Sequence, residues 1–143
     1  MQQPEKFISI EYPQIDFLIP TEYILSTVGV KDLEMSLLHN QDSGVFDFNE
    51  IASEFGQSPR ESEIKTMIVL KVEDKPHLSI VTTQECRVCT IKLSDFGLFS
   101  DYYTNLLEKF GILACCFSEQ KLRLLINAED LISYMNNCML EEL

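Results

Sequence analysis

Cys86-Arg87-Val88-Cys89 sets two thiols three residues apart, a spacing that serves dithiol–disulfide exchange or supplies half of a tetrahedral zinc site. Exchange needs a stabilised thiolate, which a helix N-terminus provides through its dipole. Here the pair lies within Glu85 to Leu93, a run that reads as a strand, and a strand sends these two sulfurs to opposite faces. A zinc site would also need a second ligand pair, and the adjacent Cys115 and Cys116 diverge for the same reason. These cysteines are therefore expected to be structural thiols, with no metal and no cofactor.

Other chemistry has little material. His39 falls in an irregular loop and His77 in a turn after Pro76, both expected at the surface rather than as bases. The sequence contains no P-loop, dinucleotide fingerprint, nucleophile elbow or His-Glu-x-x-His pattern. Carboxylates abound, but acid–base work needs two of them in environments that separate their pKa values, and spacing assigns no such pair. No catalytic residue is expected.

The 143 residues are 45% hydrophobic and 24% charged, the proportions of a globular chain able to bury a sizeable core. With 11 Lys+Arg against 23 Asp+Glu, the net charge of −12 repels a polyanion and argues against nucleic acid. The acidity is uneven, with 3 basic and 12 acidic residues up to Glu63 against 8 and 7 from Ile64 to Ile126. The longest clear apolar run, Ile112 to Phe117, is far short of the roughly 18 residues that cross a bilayer, so no direct membrane insertion is expected. Met1-Gln2-Gln3-Pro4-Glu5 has neither a basic region nor a long apolar one, which makes the cytoplasm the expected location and the five cysteines free thiols.

The elements that would position any site are mostly strands. Lys6 to Tyr12 and Ile15 to Ile19, joined by Pro13-Gln14, predict a hairpin, and Tyr23 to Val30 a third strand. Lys31 to Ser43 loses the pattern and reads as a loop or a helical turn. Gly44 to Phe48 resumes it, followed by a short helix from Glu50 to Phe55 with Asn49 as its cap and Gly56 at its stop. The polar stretch from Gln57 to Glu63 reads as an exposed connection between two halves. Ile64 to Val72, Leu78 to Thr83 and Glu85 to Leu93 predict three antiparallel strands, and Gly111 to Phe117 with Lys121 to Ile126 a last pair. Ser94 to Gly97 breaks the pattern, and a helical turn is expected through Leu106 and Leu107. A C-terminal helix should start at Asn127 to Asp130 and end near Asn136, with Met139 to Leu143 frayed. Phe7, Phe17, Phe46, Phe48, Phe55 and Phe117 fall at positions expected to point inward. Asp101-Tyr102-Tyr103-Thr104 stands apart, because it sets two amphipathic rings on a connector in the way interfaces favour.

This order of elements resembles the CheW-like chemotaxis coupling proteins over nearly the whole chain. The resemblance is carried by Phe46-Asp47-Phe48-Asn49-Glu50-Ile51-Ala52-Ser53-Glu54-Phe55-Gly56 and by the closing strand Leu122 to Ile126 that runs into Asn127 and Asp130. It implies a mainly β fold of two small five-stranded, SH3-like barrels packed side by side and intertwined in one domain spanning 1–143, with short helices including a C-terminal one. It also implies a non-catalytic adaptor that joins the cytoplasmic tips of chemoreceptors to the regulatory domain of a CheA-type histidine kinase in membrane-associated arrays. Frequent turns and few helices suggest small barrels independently. Where the family usually carries Asn-Leu-Arg-Gly this chain has Asn40-Gln41-Asp42-Ser43-Gly44, and a valine–aspartate strand reads Val81-Thr82-Thr83. By position, Asn40, Gln41 and Asp42 in the divergent loop and Val81, Glu85 and Val88 on the later strands are the expected partner contacts. An unrelated β-barrel binding a small ligand or peptide, and a thiol enzyme, are the competing readings.

Overall fold

Alternation along the first strand divides its side chains between two faces, Phe7 and Ser9 on one and Ile8, Ile10 and Tyr12 on the other, and all five are buried. A sheet apolar on both sides must be covered on both sides, and the rest of the chain does the covering. A computed structural model describes residues 5–29, 45–57, 65–71, 78–97, 109–118 and 120–141. It contains β1 (Glu5–Glu11), β2 (Ile15–Pro20), β3 (Ile24–Gly29), β4 (Val45–Asp47), α1 (Asn49–Glu54), β5 (Thr66–Leu70) and β6 (Leu78–Thr82). These are followed by β7 (Cys86–Ile91), β8 (Ile112–Ser118), β9 (Lys121–Ile126) and α2 (Ala128–Glu141).

The predicted hairpin is present: β1 and β2 pair antiparallel with Ile10 opposite Phe17, and the Tyr12 N–H donates to the Ile15 carbonyl at 3.0 Å to close the turn. It forms the centre of a five-stranded sheet of order β7-β1-β2-β9-β8, while a four-stranded sheet has the order β3-β5-β6-β4. The fold is thus mainly β with few helices, as expected. Neither sheet closes on itself among the described residues, so open sheets of five and four strands stand where two five-stranded barrels were expected.

Two expectations about connectivity fail. β5 and β6 pair antiparallel, but β7 leaves them and pairs antiparallel with β1, Ile8 opposite Val88. The neighbour-pairs-neighbour rule loses because β1 would otherwise be an edge with apolar residues on both faces. Nor do the sequence halves separate at Gln57 to Glu63, because β5 pairs with β3 and β6 with both β5 and β4 in one sheet.

The larger core cluster joins Ile10 and Phe17 of the five-stranded sheet to Phe46, Ile68, Leu70 and Ile80 of the other, with Ile51 of α1 and Leu131, Ile132 and Met135 of α2. Phe17 and Phe48 meet edge to face with ring centroids 5.1 Å apart. The opposite face of the five-stranded sheet builds a smaller core from Phe7, Leu18, Ile91 and Cys116, against which Cys89, Phe96 and Leu125 pack. Of the phenylalanines expected inside, Phe7, Phe17, Phe46 and Phe48 are buried and Phe55 is half-buried. Phe117 is 74% exposed, because it lies at the end of an edge strand where the alternating face has outrun its cover.

The helix ends divide in the same way. Gly56 takes φ 75° after α1, and the Gly56 and Gln57 N–H groups donate to the Ser53 and Ala52 carbonyls, satisfying two carbonyls at the helix end. Asn49, predicted as the cap, is instead the first residue of α1, and its N–H donates to Asp47 Oδ1 at 2.9 Å, two residues back. Asn127 does cap α2, its Oδ1 accepting the Asp130 N–H at 3.1 Å. α2 continues to Glu141, past the expected end near Asn136. The expected turns within Lys31 to Ser43 and through Leu106 and Leu107, and the Tyr102-Tyr103 pair, lie outside the described residues.

Gly111 joins the entrance of β8 to the start of α2. It has φ 76°, its carbonyl accepts the Asn127 N–H at 2.7 Å, and a Cβ there would sit 3.0 Å from the Leu131 N and 3.1 Å from the Asn127 O. Backbone atoms cannot swing aside. Gly111→Ala should cost about 2 kcal/mol or more in urea denaturation. Gly29→Ala, where a Cβ meets nothing within 4 Å, should change stability by less than about half that.

Candidate protein-interaction site

Tyr12 ends β1 with its ring in the larger core and its hydroxyl in a buried polar cluster. The Tyr12 Oη donates to Asn49 Oδ1 at 2.5 Å and lies 3.4 Å from Thr82 Oγ1, while Asn49 Nδ2 donates to Thr83 Oγ1 at 3.1 Å. The Gln84 N–H donates to Thr82 Oγ1 at 3.1 Å, and its side-chain amide donates to Thr83 Oγ1 at 3.1 Å. Burial pushes the Tyr12 hydroxyl well above its ordinary value, so it stays a protonated donor. The α1 residue thought to be a cap thus ties the β1–β2 turn to the β6–β7 connection, leaving the buried hydroxyls and amides satisfied. Gln57 repeats the tie from the end of α1, its Oε1 accepting the Gln14 N–H at 3.0 Å.

Tyr12, Thr83 and Gln84 of this cluster line a groove of about 340 Å³. Glu11 and Glu85 stand on its walls with Lys65 and Lys121. Lys65 Nζ is 3.9 Å from Glu85, Lys121 pairs with the buried Asp16, and Arg87 Nε on β7 lies 2.5 Å from Glu11 at the end of β1. Both signs are represented and paired, so the groove is built for polar recognition rather than for holding one strongly shifted acid or base.

The expected contact residues separate on this frame. Glu85 is exposed at the groove's rim just before β7, and Val88 is 63% exposed within β7 three residues further along. Val81 is only 3% exposed, inside β6, where its carbonyl accepts the Phe48 N–H at 2.9 Å; its side chain packs inside this chain and does not join the β7 edge. Asn40, Gln41 and Asp42 lie outside the described residues, as do His39 and His77. The sequence reading missed Tyr12 and Asn49, whose side-chain bonds span 37 positions and leave no local pattern. It also missed Phe117, which joins Val88 among the exposed apolar side chains of the five-stranded sheet's edges.

The thiols diverge as expected. Cys86 packs against the larger core and Cys89 against the smaller, on opposite faces of β7, and Cys115 and Cys116 divide in the same way on β8. Burial pushes the Cys86 thiol up to about 11 and raises Cys89 and Cys116 as well, opposite to the shift a redox or nucleophilic thiolate needs. Among the described residues no group of three or more His, Cys, Asp or Glu side chains is gathered as a metal would require, and no helix is long and apolar enough to cross a membrane.

Neither a family model nor a curated protein sequence matches the chain. Among solved structures it is similar to the scaffolding protein TtCheW from Thermoanaerobacter tengcongensis, at 11% sequence identity and a TM-score of 0.59, over 87% of this chain and 90% of that one. The likeness shows a CheW-like fold.

Asn49→Ala should remove the side-chain acceptor for the Tyr12 hydroxyl and cost about 1–3 kcal/mol in chemical denaturation. A thiol raised from 9.0 to about 11 leaves stability unaffected below pH 9, where both states hold the proton. Between 9 and about 11 the unfolded chain binds fewer protons, so stability should fall as pH rises. Tyr12 adds to the loss at the top of this range. The urea midpoint of Cys86→Ala should therefore decline less steeply across that window than that of the unaltered chain.

Proposed function

We propose that the chain is a non-catalytic chemotaxis adaptor that couples the cytoplasmic tip of a chemoreceptor to the regulatory domain of a CheA-type histidine kinase. The observation that carries the reading is the fold shared with a scaffolding protein over nearly the full length of both chains. Two features of the site support it. The groove presents paired charges beside a rigid, hydrogen-bonded cluster, which suits recognition. Among the described residues β7 is an edge strand with the exposed Val88 on it, a combination that strand-edge recognition uses.

On this reading the two open sheets correspond to a pair of small barrels side by side in one domain. Glu85 and Val88 meet a partner directly, and Asn40, Gln41 and Asp42 take the place of the family's cationic loop. An acidic residue where an arginine is usual alters both charge and fork geometry, so the partner should be correspondingly more cationic. The adaptor works in the cytoplasm at membrane-associated receptor arrays, without inserting into the bilayer itself.

Purified chain mixed with a CheA-type regulatory domain should form a complex of nanomolar to micromolar affinity, read by titration calorimetry. Asp42→Arg and Val88→Glu should each change that affinity by more than about tenfold while leaving the thermal midpoint nearly in place. No complex at low and at moderate salt, with either a kinase domain or a receptor tip, would rule the adaptor out.

A further inference from the structure

Thr82, Thr83 and Gln84 are three consecutive buried polar residues, and the side chain of the next residue, Glu85, is 77% exposed. Burying polar side chains in a row is unfavourable unless each is bonded, and here each is. The result is a fixed position for the end of the connection between β6 and β7, where the exposed carboxylate stands.

The bonds that fix it run in one direction. The Tyr12 hydroxyl has one proton and gives it to Asn49 Oδ1 at 2.5 Å, so the 3.4 Å contact with Thr82 is donated by the threonine. Thr82 Oγ1 in turn accepts the Gln84 N–H at 3.1 Å. Asn49 is thereby oriented with its Nδ2 toward Thr83, whose Oγ1 accepts from it and from the Gln84 side-chain amide, both at 3.1 Å. One hydroxyl, that of Thr83, thus joins α1 to the connection. On the other side the Glu85 carbonyl accepts the Glu11 N–H at 3.1 Å. The ion pair of Glu85 with Lys65, 3.9 Å long and in contact with water, orients the carboxylate weakly. Its placement is therefore set by the backbone that precedes it.

We infer that Thr83 and Asn49 are positioning residues for partner binding: their shared hydrogen bond orders the connection so that Glu85 meets a cationic group of the partner on a backbone already in place. The inference rests on the adaptor reading for the partner, and on the bonds above for the mechanism. A contact carried on a loose connection must order that connection on binding and loses affinity accordingly, whereas one ordered during folding does not. Glu85 is the carboxylate to which a cation has access, since Glu11, the other acid of the groove, is largely buried and paired with Arg87. Asn49 acts through Thr83, and Thr83 through Glu85.

The test uses the full chain, alone and with whichever of a CheA-type regulatory domain and a chemoreceptor tip binds it. In the free chain, hydrogen exchange followed by NMR should show Thr83→Val speeding the Gln84 and Glu11 amides at least tenfold, while the Tyr12 amide, bonded to the Ile15 carbonyl in the hairpin turn, stays within twofold. Calorimetry should find the complex weakened at least fivefold by Thr83→Val and within twofold of the unaltered chain in Thr83→Ser, which keeps the hydroxyl. In a Glu85→Gln background the effect of Thr83→Val should shrink below twofold, because both changes act on one contact. Circular dichroism establishes that each variant is folded, and Asn49→Ala, judged by the same criteria, replaces Thr83→Val if that variant does not fold. Where Glu85→Gln binds too weakly to titrate, the exchange pattern decides. An unaltered chain that binds neither partner defeats the adaptor reading and this inference with it. Undiminished affinity in folded Thr83→Val, an equal loss in the Glu85→Gln background, or exchange that is unchanged or speeded alike at all three amides would overturn the inference alone.

Discussion

The structure depends on a strand buried on both sides. All five residues from Ile15 to Ile19 in β2 are out of solvent, with β1 antiparallel on one flank and β9 parallel on the other. Ile15, Phe17 and Ile19 enter the larger core, and Leu18 enters the smaller. A strand of this kind cannot be satisfied by its sequence neighbours alone. The remaining chain must supply a second sheet and two helices for one face and a rolled sheet for the other. Asp16 is the exception that proves costly to place, since a carboxylate in such a strand loses its water and needs cations in return. β9 brings them at Lys121 and Arg123, with Arg123 in direct register with Asp16 across the parallel ladder. The pair thereby works as a register pin, because a slip by one residue would strand the charge on the apolar face.

What could be read in the sequence was whatever short-range physics decides. Alternation located β1, β2, β4 and β9 to within a residue or two, and Gly56 and Asn127 stopped and started helices through bonds to backbone groups only a few residues away. What could not be read was decided across the chain. β7 has the pattern of a strand but nothing in that pattern chooses β1 over β6 as its neighbour. Asn49 satisfies every local criterion for a cap, yet a hydroxyl 37 positions earlier and one 34 later claim its side chain. Phe117 alternates with the core set but sits where the sheet ends. The candidate site suffers most from this, because the groove is assembled from ends and connections, the parts with the least periodicity. Val81, Glu85 and Val88 are expected together on the later strands by position alone, yet Val81 is buried inside β6 while Glu85 and Val88 are exposed.

At the groove, Tyr12, Asn49, Thr82, Thr83 and Gln84 bond mainly to one another, so their donors and acceptors are spent on fixing where β1, α1 and β6 lie. A cluster so committed offers shape and a few rim charges to a partner, which is the economy of a recognition surface rather than of a reaction centre. The thiols of β7 follow the same logic: Cys86 and Cys89 lie against apolar side chains whose burial raises them, and the Cys-x-x-Cys spacing is an accident of strand composition.

Edges are the remaining constraint. Among the described residues β7 and β8 are the outermost strands of their sheet, with Gly97 bridging β8 at Cys115, and exposed edges invite pairing with any extended chain. Rolling the sheet turns these edges toward one another, and the stagger of a rolled sheet places the C-terminal end of β7 opposite the C-terminal end of β8, as the cavity of about 650 Å³ that both line records. Charged side chains then guard the outside: Arg87 is tied to Glu11, and Lys92 follows the last residue of β7. Full closure would have removed the edges altogether, but it would also have sealed Arg123 and Asp16 into an apolar interior with no access to water. The open seam is the arrangement in which a buried ion pair and a small apolar core coexist on the inner face of one five-stranded sheet.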